Sequence, residues 1–263
     1  MKPPFQSKTS EMDIPSSFMF RWNQPPNKLG LDIGQIHIWK VYLKEESSLA
    51  DCQRILSTDD HLRASRMVIP EKRRRFQLAR FALRKILSNY IDQSPESIQF
   101  EYQPGGKPCV LQTGKISPID FNIAHSENLM VAAFTRGKTV GIDLEFNQPV
   151  STKEWIVNRF FSKNDQVIYQ EIPDTDKEIA FLTAWTKKEA YGKAEGTGLV
   201  SSSHMDHFNP GLNMNLPING YEISFAGAFW FLRFTPEEDF TAAAVIRSID
   251  KPNPYFWVFS EIN

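Results

Sequence analysis

The chain has 263 residues, with 30 Lys and Arg against 31 Asp and Glu, 41% hydrophobic residues and 20 Phe. That apolar content excludes a natively disordered chain. The formal net charge of -1 excludes a bulk field that would draw the protein to nucleic acid or a membrane surface. Cys52 and Cys109 stand far apart without metal-ligand spacing, which points to a reducing compartment. The opening MKPPFQSKTSEMDIP has no apolar run of signal length, and no later run is long enough to span a bilayer. A soluble cytoplasmic protein with no membrane or nucleic-acid partner is expected.

Residues 1–30, rich in Pro, Ser, Asn and Lys, read as an arm around FMFRW. IHIWKVYL (36–43) reads as a strand. Thr58-Asp59-Asp60 can cap a short helix running to about Val68, and Pro70 suits the first turn of the next helix. In that helix, 71–91, Phe76, Ala79, Leu83, Ile86 and Leu87 recur at helical spacing. SIQFEY (97–102) suggests a strand and PGGKP (104–108) a turn.

From 120 onward IDFNIAHS, MVAAFTRG and TVGIDLE read as three closely spaced strands. STKE (151–154) is a capping-box pattern in front of IVNRFF. A second long helix covers 176–194 and is broken by EGTGL. After a polar loop (201–218), YEISFAGAFWFLRF reads as a hairpin and FTAAAVIR as a strand. Each half therefore has a long helix and several strands. The expected class is α+β, built as two similar lobes (31–119 and 120–263) with a ligand cleft between them.

Alternation along TVGIDLE puts Asp143 and Glu145 on one face, with Ile142 and Leu144 on the other. Two carboxylates side by side repel unless a cation lies near, although a solvated acidic edge would give the same pattern. In AWTKKEAYGKAEGTGL, Trp185, Glu189 and Lys193 recur every fourth residue and share a helix face. Glu189 with Asp143 and Glu145 makes three carboxylates, a normal donor set for Mg²⁺ beside phosphate oxygens and water. Lys193 can serve a reacting phosphate, and Lys188, about 100° round the helix, can meet one from the side.

Arg73, Arg80 and Arg84 on the first long helix are either a solvated face or a surface for several phosphates. Lys107 sits on the glycine turn, from which a lysine can reach a phosphate. His125, beside Ser126, reads as a phosphate donor or as a buried histidine satisfied by backbone. Arg63, Arg66 and Lys72, with Met67 among them, are either a basic rim for a protein partner or a plain solvated helix end.

Taken in this order, FNIAHS, GIDLE and WTKKEAYGKAEGTGL resemble the 4′-phosphopantetheinyl transferase superfamily, and more narrowly its two-lobed, surfactin-synthetase-activating type, which has cyanobacterial members. The likeness extends from about Ile36 to Arg247 and takes in GGKPCV and the arginine-rich helix. It implies a pseudo-twofold pair of α+β lobes with coenzyme A in the cleft, usually as a monomer. The implied reaction is Mg²⁺-dependent transfer of phosphopantetheine from coenzyme A to a serine of an apo acyl or peptidyl carrier protein, leaving adenosine 3′,5′-bisphosphate. The pathways it would serve make fatty acids, polyketides and nonribosomal peptides.

Carried over by motif, Asp143, Glu145 and Glu189 would hold the metal, and Lys193 would contact the diphosphate. Lys188 and His125 would be further phosphate contacts, Lys107 and Arg75 nucleotide contacts, and Ser126 a contact to coenzyme A. The family often has Ser where Ala124 stands. The residues alone leave two other classes open: a Mg²⁺-dependent phosphodiesterase or nuclease, and a nucleotide-binding protein without catalysis.

Overall fold

The computed structural model describes residues 16–43, 49–112, 114–197 and 216–260. The expected polar loop at 201–218 falls mostly outside them.

Strand β2 (Gln35–Tyr42) is almost wholly buried, and its side chains part to two cores. Trp39 and Val41 face one way, Ile36 and Ile38 the other. Helix α1 (Leu49–Ile55) and helix α2 (Thr58–Ser65) follow. The cap of α2 is Ser57, one residue earlier than the sequence suggested. Its hydroxyl accepts from the Asp60 N–H, and the Asp60 carboxylate accepts from the Ser57 N–H. The helix ends at Ser65, short of Val68, so residues 66–69 form a connector. Helix α3 (Pro70–Ser88) then starts on Pro70, whose missing N–H costs nothing there.

Arg80 and Arg84 of α3 correct both sequence readings: they form neither a solvated face nor a phosphate surface. They are buried on Asp60, with Arg80 Nε 2.6 Å from Oδ1 and Arg84 Nη2 2.7 Å from Oδ2. Arg84 also donates to the Pro95 and Ile98 carbonyls, and both guanidiniums lie over the Phe100 ring. Arg73 turns back to donate twice to the Met67 carbonyl.

A small three-stranded sheet follows: β3 (Phe100–Tyr102), β4 (Pro108–Gln112) and β5 (Lys115–Ile116). Strands β6 (Ile119–Ser126) and β7 (Leu129–Arg136) form a hairpin. They join β2 and the last strand, β12 (Asn253–Phe259), in a four-stranded sheet of order β12-β2-β7-β6. A five-stranded sheet has the order β1-β9-β10-β11-β8. Its members are β1 (Ser16–Met19), β8 (Val140–Phe146), β9 (Gly220–Ala226), β10 (Phe229–Phe234) and β11 (Phe240–Arg247). Helix α3 covers the outer face of the four-stranded sheet through Leu78, Leu83 and Ile86 against Trp39, Phe121 and Phe134. The inner faces of both sheets meet in a second core, where Ile36, Ile38, Val131 and Ala133 oppose Ile142, Leu144, Leu232 and Ala244. Helix α6 (Lys177–Glu195) lies on the outer face of the five-stranded sheet, with Ala190 and Ala194 against Phe231, Ala243 and Val245. The class is mixed α+β, as expected.

The sheets do not follow the order of the chain. Strand β7 pairs with β2, and β6 pairs with β7, so the change of sheet falls at residues 137–139. The chain ends also cross over: β1 from the arm pairs with β9, while β12 runs parallel to β2. Aromatic packing holds this exchange, with Phe18 stacked on Tyr221 and Phe20 on Phe256.

The edge strands β6 and β8 meet through side chains. The Val140, Ile142 and Phe146 N–H groups donate to Asp120 Oδ2, Asn122 Oδ1 and Ser126 Oγ. These acceptors occupy alternate positions on β6, so one face of that strand satisfies the open edge of β8.

Helices α4 (Lys153–Phe160) and α5 (Lys163–Glu171) pack beside α6. The capping box expected from STKE does not form, since Thr152 caps α4 without a side-chain bond. Glu178 takes over that end, accepting from the Val150 N–H and the Lys153 ammonium.

Candidate active site

The face of β8 opposite Ile142 and Leu144 carries Gly141, Asp143 and Glu145 against α6. Glycine is required at 141, where a Cβ would stand 2.0 Å from the Ala190 carbonyl oxygen and 2.5 Å from the Ala194 nitrogen. That close approach brings Glu189 and Lys193 to the carboxylates of β8. Lys193 Nζ lies 2.7 Å from Asp143 Oδ1 and 3.2 Å from the Ile142 carbonyl.

Asp143 is 6% exposed, and its Oδ2 is buried without a hydrogen-bond partner. Glu145 is pushed up to about 7, first by burial and then by the Asp143 charge. Glu189 adds to that push, while Lys193 and a hydrogen bond from Trp185 oppose it. Glu189 is itself raised by burial and by Asp143, with Lys193 and Lys188 acting against. The three acids that the sequence grouped therefore feel one another, with the Lys193 ammonium between them. Three carboxylates against one ammonium leave an excess of negative charge, and hard oxygen donors in that state suit a divalent cation. Among the described residues no three His, Cys, Asp or Glu side chains are gathered closely enough to hold a metal ion as they stand. Lys193 occupies Oδ1 of Asp143.

His125, next to the last residue of β6, is open to solvent. Partial burial lowers its pKa, and the nearby charges of Lys193 and Arg75 lower it further, so the ring is neutral at pH 7. Arg75 is half-buried and 3.5 Å from Glu127. With Leu43, Pro70, Glu71, Arg74 and Leu78 it lines a groove of about 270 Å³. The charges of Arg75 and Lys193 thus both reach the His125 ring.

The other expected contacts lie elsewhere. Lys107 is buried, and its ammonium pairs with Asp120 at 2.5 Å and donates to the Val140 carbonyl. It folds back under the turn into the β6–β8 seam and does not project from the turn. Lys188 is fully buried, 5.5 Å over the Phe161 ring, with its ammonium free of hydrogen bonds and its pKa lowered to about 8 by desolvation. The Ser126 hydroxyl accepts from β8, which leaves its own hydrogen to donate. Gly105 of the turn touches the end of α6, where a Cβ would meet the Gly196 oxygen at 1.9 Å. Gly196 takes a left-handed φ of 71°.

Sequence reasoning placed Trp185 on the helix face of Glu189 and Lys193 but missed its bond to Glu145. It also missed Asp120 and Asn122, whose signal was present as polar residues at period two in IDFNIAHS.

Residues 139–245 match the model of the 4′-phosphopantetheinyl transferase superfamily, and residues 39–136 match that of the 4′-phosphopantetheinyl transferase N-terminal domain. The chain is 33% identical over 237 residues to the 4′-phosphopantetheinyl transferase HetI of Nostoc sp., covering 90% of this chain and 97% of that protein. It is 32% identical over 177 residues to the 4′-phosphopantetheinyl transferase Sfp of Bacillus subtilis, covering 62% and 74%. The two family matches divide between residues 136 and 139, where the change of sheet falls. With the motif strands and helix brought to one site and near-complete coverage by such a relative, the chain belongs to the 4′-phosphopantetheinyl transferase superfamily, whose members move the phosphopantetheine arm of coenzyme A onto carrier proteins.

Proposed function

We propose that this enzyme loads a serine of an apo acyl or peptidyl carrier protein from coenzyme A in a Mg²⁺-dependent reaction that releases adenosine 3′,5′-bisphosphate. The observation that carries the reading is the meeting of Asp143, Glu145, Glu189 and Lys193 where β8 touches α6. Asp143, Glu145 and Glu189 would hold Mg²⁺, and the unpartnered Oδ2 of Asp143 is an available donor. When bound, the ion would neutralise charge on the diphosphate oxygens and hold them for in-line attack.

The serine oxygen bonds to the phosphorus that carries the pantetheine arm, and the bond from that phosphorus to the bridging oxygen breaks. The serine proton passes to Glu189, directly or through a water. Burial raises the pKa of Glu189, which suits a proton acceptor. Lys193, already at the centre of the acids, meets the charge developing on the departing phosphate. Arg75 and the neutral ring of His125 line the approach for the nucleotide phosphates. Lys107 supports the site through Asp120 and Val140, and its turn, together with Ser126, borders the nucleotide. Lys188 reaches a phosphate only if the connection between α4 and α5 yields, because Phe161 covers it.

The two halves are a pseudo-twofold pair, a reading supported by two 19-residue helices, each packed on the outer face of its own sheet. The working form is a cytoplasmic monomer serving fatty acid, polyketide or nonribosomal peptide synthesis. No helix among the described residues is long and apolar enough to cross a membrane. The test is intact-mass measurement of an apo carrier protein after incubation with coenzyme A and Mg²⁺. A gain of about 340 Da, the mass of the phosphopantetheine group, is expected. Cleavage of coenzyme A with an unmodified carrier would replace this reading by a hydrolase.

A further inference from the structure

The connector between α2 and α3 displays apolar side chains to water. Val68 is 90% exposed and Ile69 48%, and Leu62 on α2 is 54% exposed. The chain holds this display in place. The Met67 N–H donates to the Ala64 carbonyl, and the Met67 carbonyl accepts two bonds from Arg73. Arg63 is fixed as well, paired with Asp59 at 2.8 Å and stacked 3.9 Å over Tyr102. Arg66, Lys72 and Arg73 are exposed around the connector. Between residues 59 and 75 the exposed acids are Asp59 and Glu71, so the surface is strongly cationic. Pro70 and Glu71, directly after the connector, line the same groove as Arg75. The connector is therefore part of the rim from which a partner could reach the site.

We propose that the connector 66–69 is the seat of the acceptor carrier protein, which engages Val68 and Ile69 with apolar side chains and Arg66 and Lys72 with acidic ones. This rests on the transferase reading above. Exposed apolar residues on a pinned segment within a cationic surface suit a partner with the complementary arrangement. Pinning also lowers the ordering cost of association.

The test compares the wild type with Arg66→Glu, Val68→Ser and the double variant, each checked for folding by circular dichroism. One arm titrates a carrier whose acceptor serine is replaced by alanine, so that docking is read without transfer. The other measures KM for the intact apo carrier and for coenzyme A at low and moderate salt. In the double variant, carrier affinity should fall and carrier KM rise by about tenfold or more, with KM for coenzyme A and kcat unchanged. Salt should weaken carrier binding more in the wild type than in Arg66→Glu. Undiminished binding of the alanine carrier by the double variant would overturn the inference. So would a parallel loss of coenzyme A affinity, which would assign the connector to the nucleotide groove, or loss of a wild-type dimer in light scattering, which would assign it to a second copy. Because the alanine carrier cannot be modified, loss of its binding supports docking even if the wild type shows no transfer, and that absence would count against the transferase reading alone.

Discussion

Lys193 Nζ stands 2.7 Å from Asp143 Oδ1, which makes a lysine the resident counter-charge of three acids. Replacing it by methionine keeps the helix but removes the cation that lowers both Glu145 and Glu189. Lys193→Met should lose transfer by at least about 100-fold, the usual scale for a donor aimed at developing charge. At pH 8 it should also melt lower than the wild type, because the acids then face one another unscreened. Added Mg²⁺ should raise its melting temperature more than that of the wild type. An equal response of the two proteins to Mg²⁺ would show that Lys193 and the ion do not share Asp143.

Gly141 decides whether that arrangement exists at all. Gly141→Ala puts a methyl group against the backbone of α6, where no side chain can turn aside. The helix must lift from β8, at a cost of roughly 1–3 kcal/mol. Transfer should fall further than stability alone explains, since Glu189 and Lys193 move together. A variant with wild-type kcat would mean that α6 tolerates the shift.

The clamp at Asp60 acts from a distance. Asp60→Asn leaves Arg80 and Arg84 buried without a counter-charge, which should cost about 3–5 kcal/mol. Because α3 also carries Arg75, affinity for coenzyme A should weaken in whatever folded protein remains. Denaturant unfolding and a coenzyme A titration read the two effects separately. Unfolding at the wild-type denaturant midpoint would rule out the clamp.

Much of this was legible in the sequence because periodicity reports which face a residue takes. GIDLE sets Asp143 and Glu145 on one face, WTKKEAYGK sets Glu189 and Lys193 on another, and the structure brings those faces together. What stayed hidden were choices among partners. Arg80 and Arg84 look the same in sequence whether they meet water, phosphate or Asp60, and the aspartate that claims them lies 20 or more residues away. Lys107 on its glycine turn is similar, since nothing local shows that Asp120 draws it inward. The change of sheet at residues 137–139 stayed hidden because β7 pairs across the fold with β2 and carries β6 with it, and strand pairing leaves no local mark.

His37 offers a pH test away from the acids. Its ring is 2% exposed, with Nδ1 2.9 Å from the Tyr90 hydroxyl and Nε2 3.3 Å from Gln35 Oε1. Gln35 Oε1 can only accept, so the proton of the neutral ring sits on Nε2, and the Tyr90 hydroxyl, which accepts from the Trp39 N–H, gives its own hydrogen to Nδ1. Burial lowers the pKa from 6.5 to about 4, with Asp32 opposing only in part. Between those values the unfolded chain binds a proton that the folded one refuses. Stability from this group is therefore complete above about pH 6.5 and falls as pH drops toward 4, by about 3 kcal/mol in all. Glu145 acts in the opposite sense over an overlapping range, because its folded pKa is raised to about 7 and its charged form costs stability as pH rises. The difference between wild type and His37→Gln cancels that contribution. Denaturant unfolding of both proteins at several pH values from 7.5 to 4 should show the gap between them narrowing, or reversing, by about 3 kcal/mol as the solution becomes acidic. Two parallel curves would mean that His37 takes up its proton in the folded protein as readily as in the unfolded chain.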